Sequence, residues 1–135
     1  MSRADALPLV ADFMSRDLVT LTPQMEINRA MTILLERKIS GAPVRDSDGF
    51  LVGVLTKRDC LKAALDASYY RDWGGRVDAY MSHPVMTIEA SMDIIRATNL
   101  FIEKPYRRFP VMEGGKLVGQ LSRTDALRAL ASQWG

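Results

Sequence analysis

The apolar residues of this chain follow two alternating rhythms. Compact runs from Leu18 to Leu21, Ile39 to Val44, Phe50 to Leu55, Val85 to Ile88, Tyr106 to Val111 and Leu117 to Leu121 predict strands. Elsewhere apolar residues recur at steps of three and four. Ile27, Ala30, Met31, Leu34 and Leu35 predict one helix face, and Ile94, Ala97, Phe101 and Ile102 predict another. Leu61, Ala64 and Leu65, then Leu127, Leu130 and Ala131, predict the buried faces of two more helices. A short lead-in helix is expected from Asp5 to Met14, with Leu7, Val10, Ala11 and Met14 in step and Pro8 in its first turn. Pro43 and Pro110 are each expected to open a strand, where a missing N–H does least harm. Asp46-Ser47-Asp48-Gly49 and Glu113-Gly114-Gly115-Lys116 carry turn chemistry between apolar runs and predict two hairpins.

This series of elements occurs twice. Met14-Ser15 returns as Met81-Ser82, an offset of 67 positions, and after a turn shortened by one residue Gly53 returns as Gly119 at an offset of 66. Each copy reads strand, helix, strand, strand, helix, and about 60 residues per copy make a marginal core alone, so the copies are expected to pack together about a pseudo-two-fold axis. Within the repeat one stretch carries chemistry. Gly53-Val54-Leu55-Thr56-Lys57-Arg58-Asp59 matches Gly119-Gln120-Leu121-Ser122-Arg123-Thr124-Asp125. Thr56 with Asp59, and Ser122 with Asp125, have the spacing of a capping box, in which the two side chains satisfy backbone N–H groups at a helix start. The same geometry, a glycine-containing strand entering a helix N-terminus, offers N–H donors and a favourable dipole to an anionic ligand.

Composition narrows the classes. The 18 basic and 16 acidic residues are interspersed and leave a net charge of +2, which excludes the footprint of a general nucleic-acid binder. The single cysteine, Cys60, cannot form an internal disulfide and fits a small buried hydrophobe in a reducing compartment. No apolar run approaches the about 18 residues that span a bilayer, so a cytoplasmic protein without membrane attachment is expected. His83 stands without a second histidine or nearby cysteine, no carboxylates show acid–base spacing, and no phosphate-binding glycine loop is present. No catalytic residue and no metal site is therefore expected, and the chain reads as a binding protein rather than an enzyme. Tyr69, Tyr70 and Trp73 form an aromatic segment without a repeat partner, expected to cover the seam between the copies.

With these residues in view, the chain resembles a tandem pair of CBS domains, the module named after cystathionine β-synthase. The resemblance runs from Asp12 to Leu130 and rests on the Met-Ser starts at Met14 and Met81, the prolines Pro43 and Pro110 before valine, and the two Gly-x-x-[Thr/Ser]-x-x-Asp stretches. It implies a mixed α/β (α+β) fold of two βαββα repeats, repeat 1 over 8–68, a connecting segment over 69–78 and repeat 2 over 79–135. It also implies clefts between the repeats that bind adenosine-containing ligands: AMP, ADP or ATP, with S-adenosylmethionine or NAD as further members of the class, and no required cofactor. Carried over by position, Asp59 and Asp125 would accept from ribose hydroxyls, while Thr56 and Ser122, following Gly53 and Gly119, would lie near phosphate. Thr20, Thr87, Ser40 and Gly41 match stretches that hold the adenine edge. Arg107 and Arg108 match a place where some members put basic residues on phosphates, whereas copy one has Ser40 and Gly41 there, so one cleft is expected to prefer phosphorylated ligands.

Two readings from different classes follow. One is a regulatory sensor of adenine nucleotides, expected to form a homodimer and to act in trans on a regulated protein because no output domain is attached. The other is a ligand-free dimerisation or interaction module in which the Thr/Ser-x-x-Asp stretches are helix caps only.

Overall fold

The computed structural model describes residues 7–71, 74–83 and 86–134. Its elements run α1 (Val10–Phe13), α2 (Ile27–Arg37), β1 (Gly41–Arg45), β2 (Leu51–Thr56), α3 (Lys57–Tyr70), α4 (Val77–Tyr80), β3 (Ile88–Glu89), α5 (Ile94–Glu103), β4 (Arg108–Glu113), β5 (Lys116–Ser122) and α6 (Arg123–Ala131). The mixed α/β class is as expected. The chain divides into two compact units that are not its two consecutive repeats. One unit takes the chain up to Leu18 together with everything from Met86, and the other takes the stretch between them.

In the middle unit, β1 and β2 form the expected antiparallel hairpin. Its turn is closed by the Asp46 carboxylate, which accepts from the N–H groups of Asp48 and Phe50 at 3.0 and 2.9 Å. Leu21 adds one parallel bridge to Val44 on one side, and Ser82 adds one antiparallel bridge to Val54 on the other. The core beneath holds Leu21, Ile27, Ala30, Leu34, Ala42, Val44, Leu55, Cys60, Ala63 and Val77. The other unit repeats this plan: β4 and β5 pair antiparallel, β3 pairs parallel to β4, and Ser15 bridges Gln120. Val10, Ile88, Ile94, Ala97, Phe101, Phe109, Val111, Leu121, Ala126 and Ala129 fill its core.

The prolines lie inside their strands rather than at the openings. Pro43 faces Val54 and Pro110 faces Gln120. Val54 directs its N–H and C=O outward to Ser82, as Gln120 does to Ser15, so neither proline is asked for a hairpin hydrogen bond. On the opposite edge, Pro43 accepts from Leu21 but has no N–H with which to continue that parallel ladder. The predicted strand Leu18 to Leu21 is accordingly reduced to the single bridge at Leu21, and its counterpart to Ile88–Glu89; Val85 lies outside the described residues.

Three other expectations are corrected. The lead-in helix is only Val10–Phe13, because Leu9 is extended and bridged to Asp93 and the Pro8 carbonyl accepts from the Ile94 N–H; Pro8 thus precedes the helix, and Asp5 lies outside the described residues. Leu35 and Ile102 point outward, one position beyond the buried Leu34 and Phe101. Most consequentially, the closing helices bury their small residues. Cys60, Ala63 and Ala67 face the core on α3, and Ala126 and Ala129 on α6, while Leu61, Leu65 and Leu127 are 69%, 65% and 64% exposed. Tyr69 and Tyr70, placed by the sequence at the seam between the copies, are exposed, and Trp73 lies outside the described residues.

The Met-Ser segments explain the repeated glycine. A Cβ on Gly119 would stand 2.9 Å from the Ser15 carbonyl oxygen and 2.7 Å from the Met14 sulfur. On Gly53 it would stand 3.2 Å from the Ser82 carbonyl oxygen and 2.6 Å from the Met81 sulfur. Gly119→Ala should therefore cost about 1–3 kcal/mol by overpacking. Met14→Ala should relieve part of that cost, so the double variant loses less than the sum of the singles in equilibrium urea unfolding. Simple additivity would remove the Met-Ser segment as the reason for the glycine.

Candidate functional site

Each unit places an aspartate at the junction of a strand and the helix that follows it. In the middle unit Thr56 ends β2 in an extended conformation and caps α3, its hydroxyl accepting from the Asp59 N–H at 3.2 Å. Asp59 replies with Oδ2, which accepts from the Thr56 N–H at 2.9 Å and the Thr56 hydroxyl at 3.0 Å. The Ser82 hydroxyl approaches both carboxylate oxygens at 3.4 Å. In the other unit Ser122 caps α6 in the same way: Asp125 Oδ2 accepts from the Ser122 N–H at 2.8 Å, and the Ser122 hydroxyl accepts from the Asp125 N–H at 3.1 Å. The second oxygen, Oδ1, is held by the Arg128 guanidinium. Both aspartates are buried, Asp59 at 5% and Asp125 at 8% exposure. A carboxylate this far from water needs such a set of donors.

The remaining candidates sort by unit. Gly53, Ser40, Gly41 and Thr20 share the unit of Thr56 and Asp59. Gly41 stands opposite Thr56, the Ser40 carbonyl accepts from the Lys57 N–H at 2.9 Å, and Thr20 precedes the bridged Leu21. Gly119, Thr87, Arg107 and Arg108 share the unit of Ser122 and Asp125. Arg108 stands opposite Ser122, and the Arg107 carbonyl accepts from the Arg123 N–H at 3.1 Å. The Arg123 guanidinium is anchored on the Tyr106 carbonyl at 3.1 Å. Arg107, Arg108, Arg123 and Arg128 thus gather on the surface around one capped junction. The matching positions near Thr56 hold Ser40, Gly41, Lys57 and Lys62.

Two site residues escaped the sequence reading. Arg128 lies three positions beyond Asp125 on the same helix, a spacing at which an ion pair was legible. Ser82 had no such signal, since it reaches Asp59 through the Met-Ser segment that follows α4. Among the described residues no group of three or more His, Cys, Asp or Glu could hold a metal ion, and no helix is long and apolar enough to cross a membrane.

The CBS domain family model matches residues 10–66 and 77–132, and the chain belongs to that family, carrying two copies of the domain. The chloroplastic CBS domain-containing protein CBSX2 of Arabidopsis thaliana is 28% identical over 89% of this chain and 62% of its own length. An uncharacterised protein of Methanocaldococcus jannaschii, MJ1225, is 27% identical over 93% of this chain and 44% of its own length. The chain therefore spans about half of these relatives' length. A crystal structure of CBSX2 in complex with AMP superposes with a TM-score of 0.79 at 31% identity, covering 92% of this chain and 96% of that one.

Cys60 sits directly behind Asp59, in the core of the middle unit. Burial first, and the Asp59 carboxylate second, push its thiol above the ordinary value of 9.0. A raised pKa in the fold favours the protonated thiol. Its contribution to stability is thus complete below about pH 9 and is lost as pH rises through the folded-state value. Cys60 should react slowly with iodoacetamide at pH 8 in the native chain and rapidly in urea, as read by mass spectrometry. Equal rates in the two conditions would show that the thiol is not held in the core.

Proposed function

We propose that this CBS-domain pair is a regulatory module that binds adenosine-containing ligands of the AMP, ADP and ATP class and acts in trans on a partner protein. The observation that carries the reading is the pair of buried, capped aspartates, in a chain 31% identical to a protein whose crystal structure is in complex with AMP. At each junction the carboxylate offers acceptors suited to ribose hydroxyls, and the first turn of the helix offers backbone N–H groups to phosphate. The arginines at 107, 108 and 123 make the Asp125 junction the better host for a phosphorylated ligand. Regulation requires that the ligand bind two states of the module unequally. A ligand at about 100 times its dissociation constant should stabilise the protein by about 2.7 kcal/mol, roughly 10 °C in midpoint for a chain of this size. AMP should raise the thermal midpoint of the native chain, and Asp59→Ala or Asp125→Ala should reduce that rise. A panel of AMP, ADP, ATP, S-adenosylmethionine and NAD that leaves every midpoint unmoved would overturn the reading.

A second reading, self-association, is favoured by one specific feature. Leu61, Leu65 and Tyr69 recur at four-residue steps along α3 and are all largely exposed. An apolar stripe of this kind on a helix suits a second copy of the chain, and homodimerisation is compatible with ligand sensing. Leu65→Glu should convert a dimer to a monomer in size-exclusion chromatography with light scattering. A wild-type chain that runs as a monomer at high protein concentration would remove this reading.

A further inference from the structure

The two aspartates differ in what occupies Oδ1, and the geometry points to Arg128 as a built-in competitor that sets ligand affinity at the Asp125 junction. This inference rests on the adenosine-ligand reading above. Both carboxylates use Oδ2 to accept from the capping residue's N–H, so Oδ1 is the acceptor left for a ribose hydroxyl. At Asp59 the neighbour of Oδ1 is the Ser82 hydroxyl at 3.4 Å, a marginal hydrogen bond that a ligand displaces at little cost. At Asp125 the same oxygen carries the Arg128 guanidinium. The position matching Arg128 on α3 is Lys62, which is exposed and forms no ion pair with Asp59. A lysine presents a compact ammonium where arginine presents a fork of donors, and this difference decides which carboxylate is latched.

Arg128 is 66% exposed at its side chain, so it can leave the carboxylate for solvent. The latch is consequently modest, worth about twofold to fivefold in affinity, the range of an exposed ion pair. Release also leaves a cation beside the site, which favours an anionic ligand over a neutral one. Arg128 is thus a specificity-determining residue: it disfavours free adenosine at Asp125 more than it disfavours AMP.

The test is an adenosine titration of the full chain followed by the backbone amide signals of Asp59 and Asp125 in NMR, repeated with AMP. Arg128→Met keeps the aliphatic length and removes the donors. It should tighten adenosine at Asp125 by about twofold to fivefold, tighten AMP less, and leave Asp59 unchanged. Lys62→Arg, the reciprocal change, should weaken adenosine at Asp59 alone. If both amides titrate but Arg128→Met leaves the Asp125 midpoint unmoved, the latch is wrong and the ligand reading survives. If neither amide responds to adenosine or AMP in any of the proteins, both fall.

Discussion

Placing a carboxylate out of water at the start of a helix constrains everything around it. Asp59 and Asp125 can stay buried only if donors converge on them: the backbone N–H of the residue three positions earlier in both, joined by the Thr56 hydroxyl at Asp59 and the Arg128 guanidinium at Asp125. The strand must then end extended, as Thr56 does at φ −109° and ψ 166° and Ser122 at φ −102° and ψ 166°. Helix begins at the next residue, so strand and helix meet without a loop. The inward direction of the aspartate also sets the rotation of the whole helix. On α3 the residues four and eight positions on from Asp59, Ala63 and Ala67, share its buried face, and on α6 Ala129 shares that of Asp125. Alanines on that face let the helix backbone lie close to the core.

The strand that feeds each junction is shaped by what lies at its two edges. Its partner strand carries a proline at the pair where no hairpin bond is made, and its own outward N–H and C=O go to a Met-Ser segment. The glycine one residue earlier has no side chain because the methionine of that segment fills the space. Glycine, proline and Met-Ser are therefore parts of one packing arrangement. In the middle unit that segment is Met81-Ser82, following α4; in the other it is Met14-Ser15, following α1. The short helices fix these segments, with Val10 and Val77 fully buried in their respective cores.

Local chemistry was legible in the sequence where one residue decides it. The caps at Thr56 and Ser122, the hairpin turns and the inward faces of α2 and α5 at Ile27, Ala30, Leu34, Ile94, Ala97 and Phe101 follow from short-range spacing and stand in the structure. The face of the closing helices did not, because leucine outranks alanine in apolar surface and the stripe of Leu61 and Leu65 drew the core to the wrong side. The capping box already held the answer, since an inward Asp59 places Ala63 inward and Leu61 on the far side. What no local pattern contained was the pairing of the first Met-Ser segment with the second repeat's strand. A run of apolar residues specifies that a strand forms and not which distant edge receives it.

The rotation imposed by the buried aspartate gives α3 two distinct sides, one capped against the core and one apolar and exposed. Its first turn carries Asp59 and the N–H groups proposed to meet a ligand, and its outer side carries Leu61, Leu65 and Tyr69. Fourteen residues of helix extend about 21 Å, and a helix of that length moves as a unit. A ligand that alters how the first turn is held against the strand end must therefore displace the leucine stripe with it, provided that the ligand binds the two placements of the helix unequally. No separate relay of side chains is needed. The junction that makes a carboxylate affordable in the interior would, on the proposed ligand reading, also link the ligand to an exposed apolar face. On α6 the equivalent stripe is thinner, Leu127 followed by Ala131 where α3 has Leu61 and Leu65, and its aspartate is held by Arg128. The two repeats thus differ at both ends of this arrangement: one has a carboxylate oxygen met only by a long Ser82 contact and a broad apolar face, the other a guanidinium on that oxygen and a narrow face.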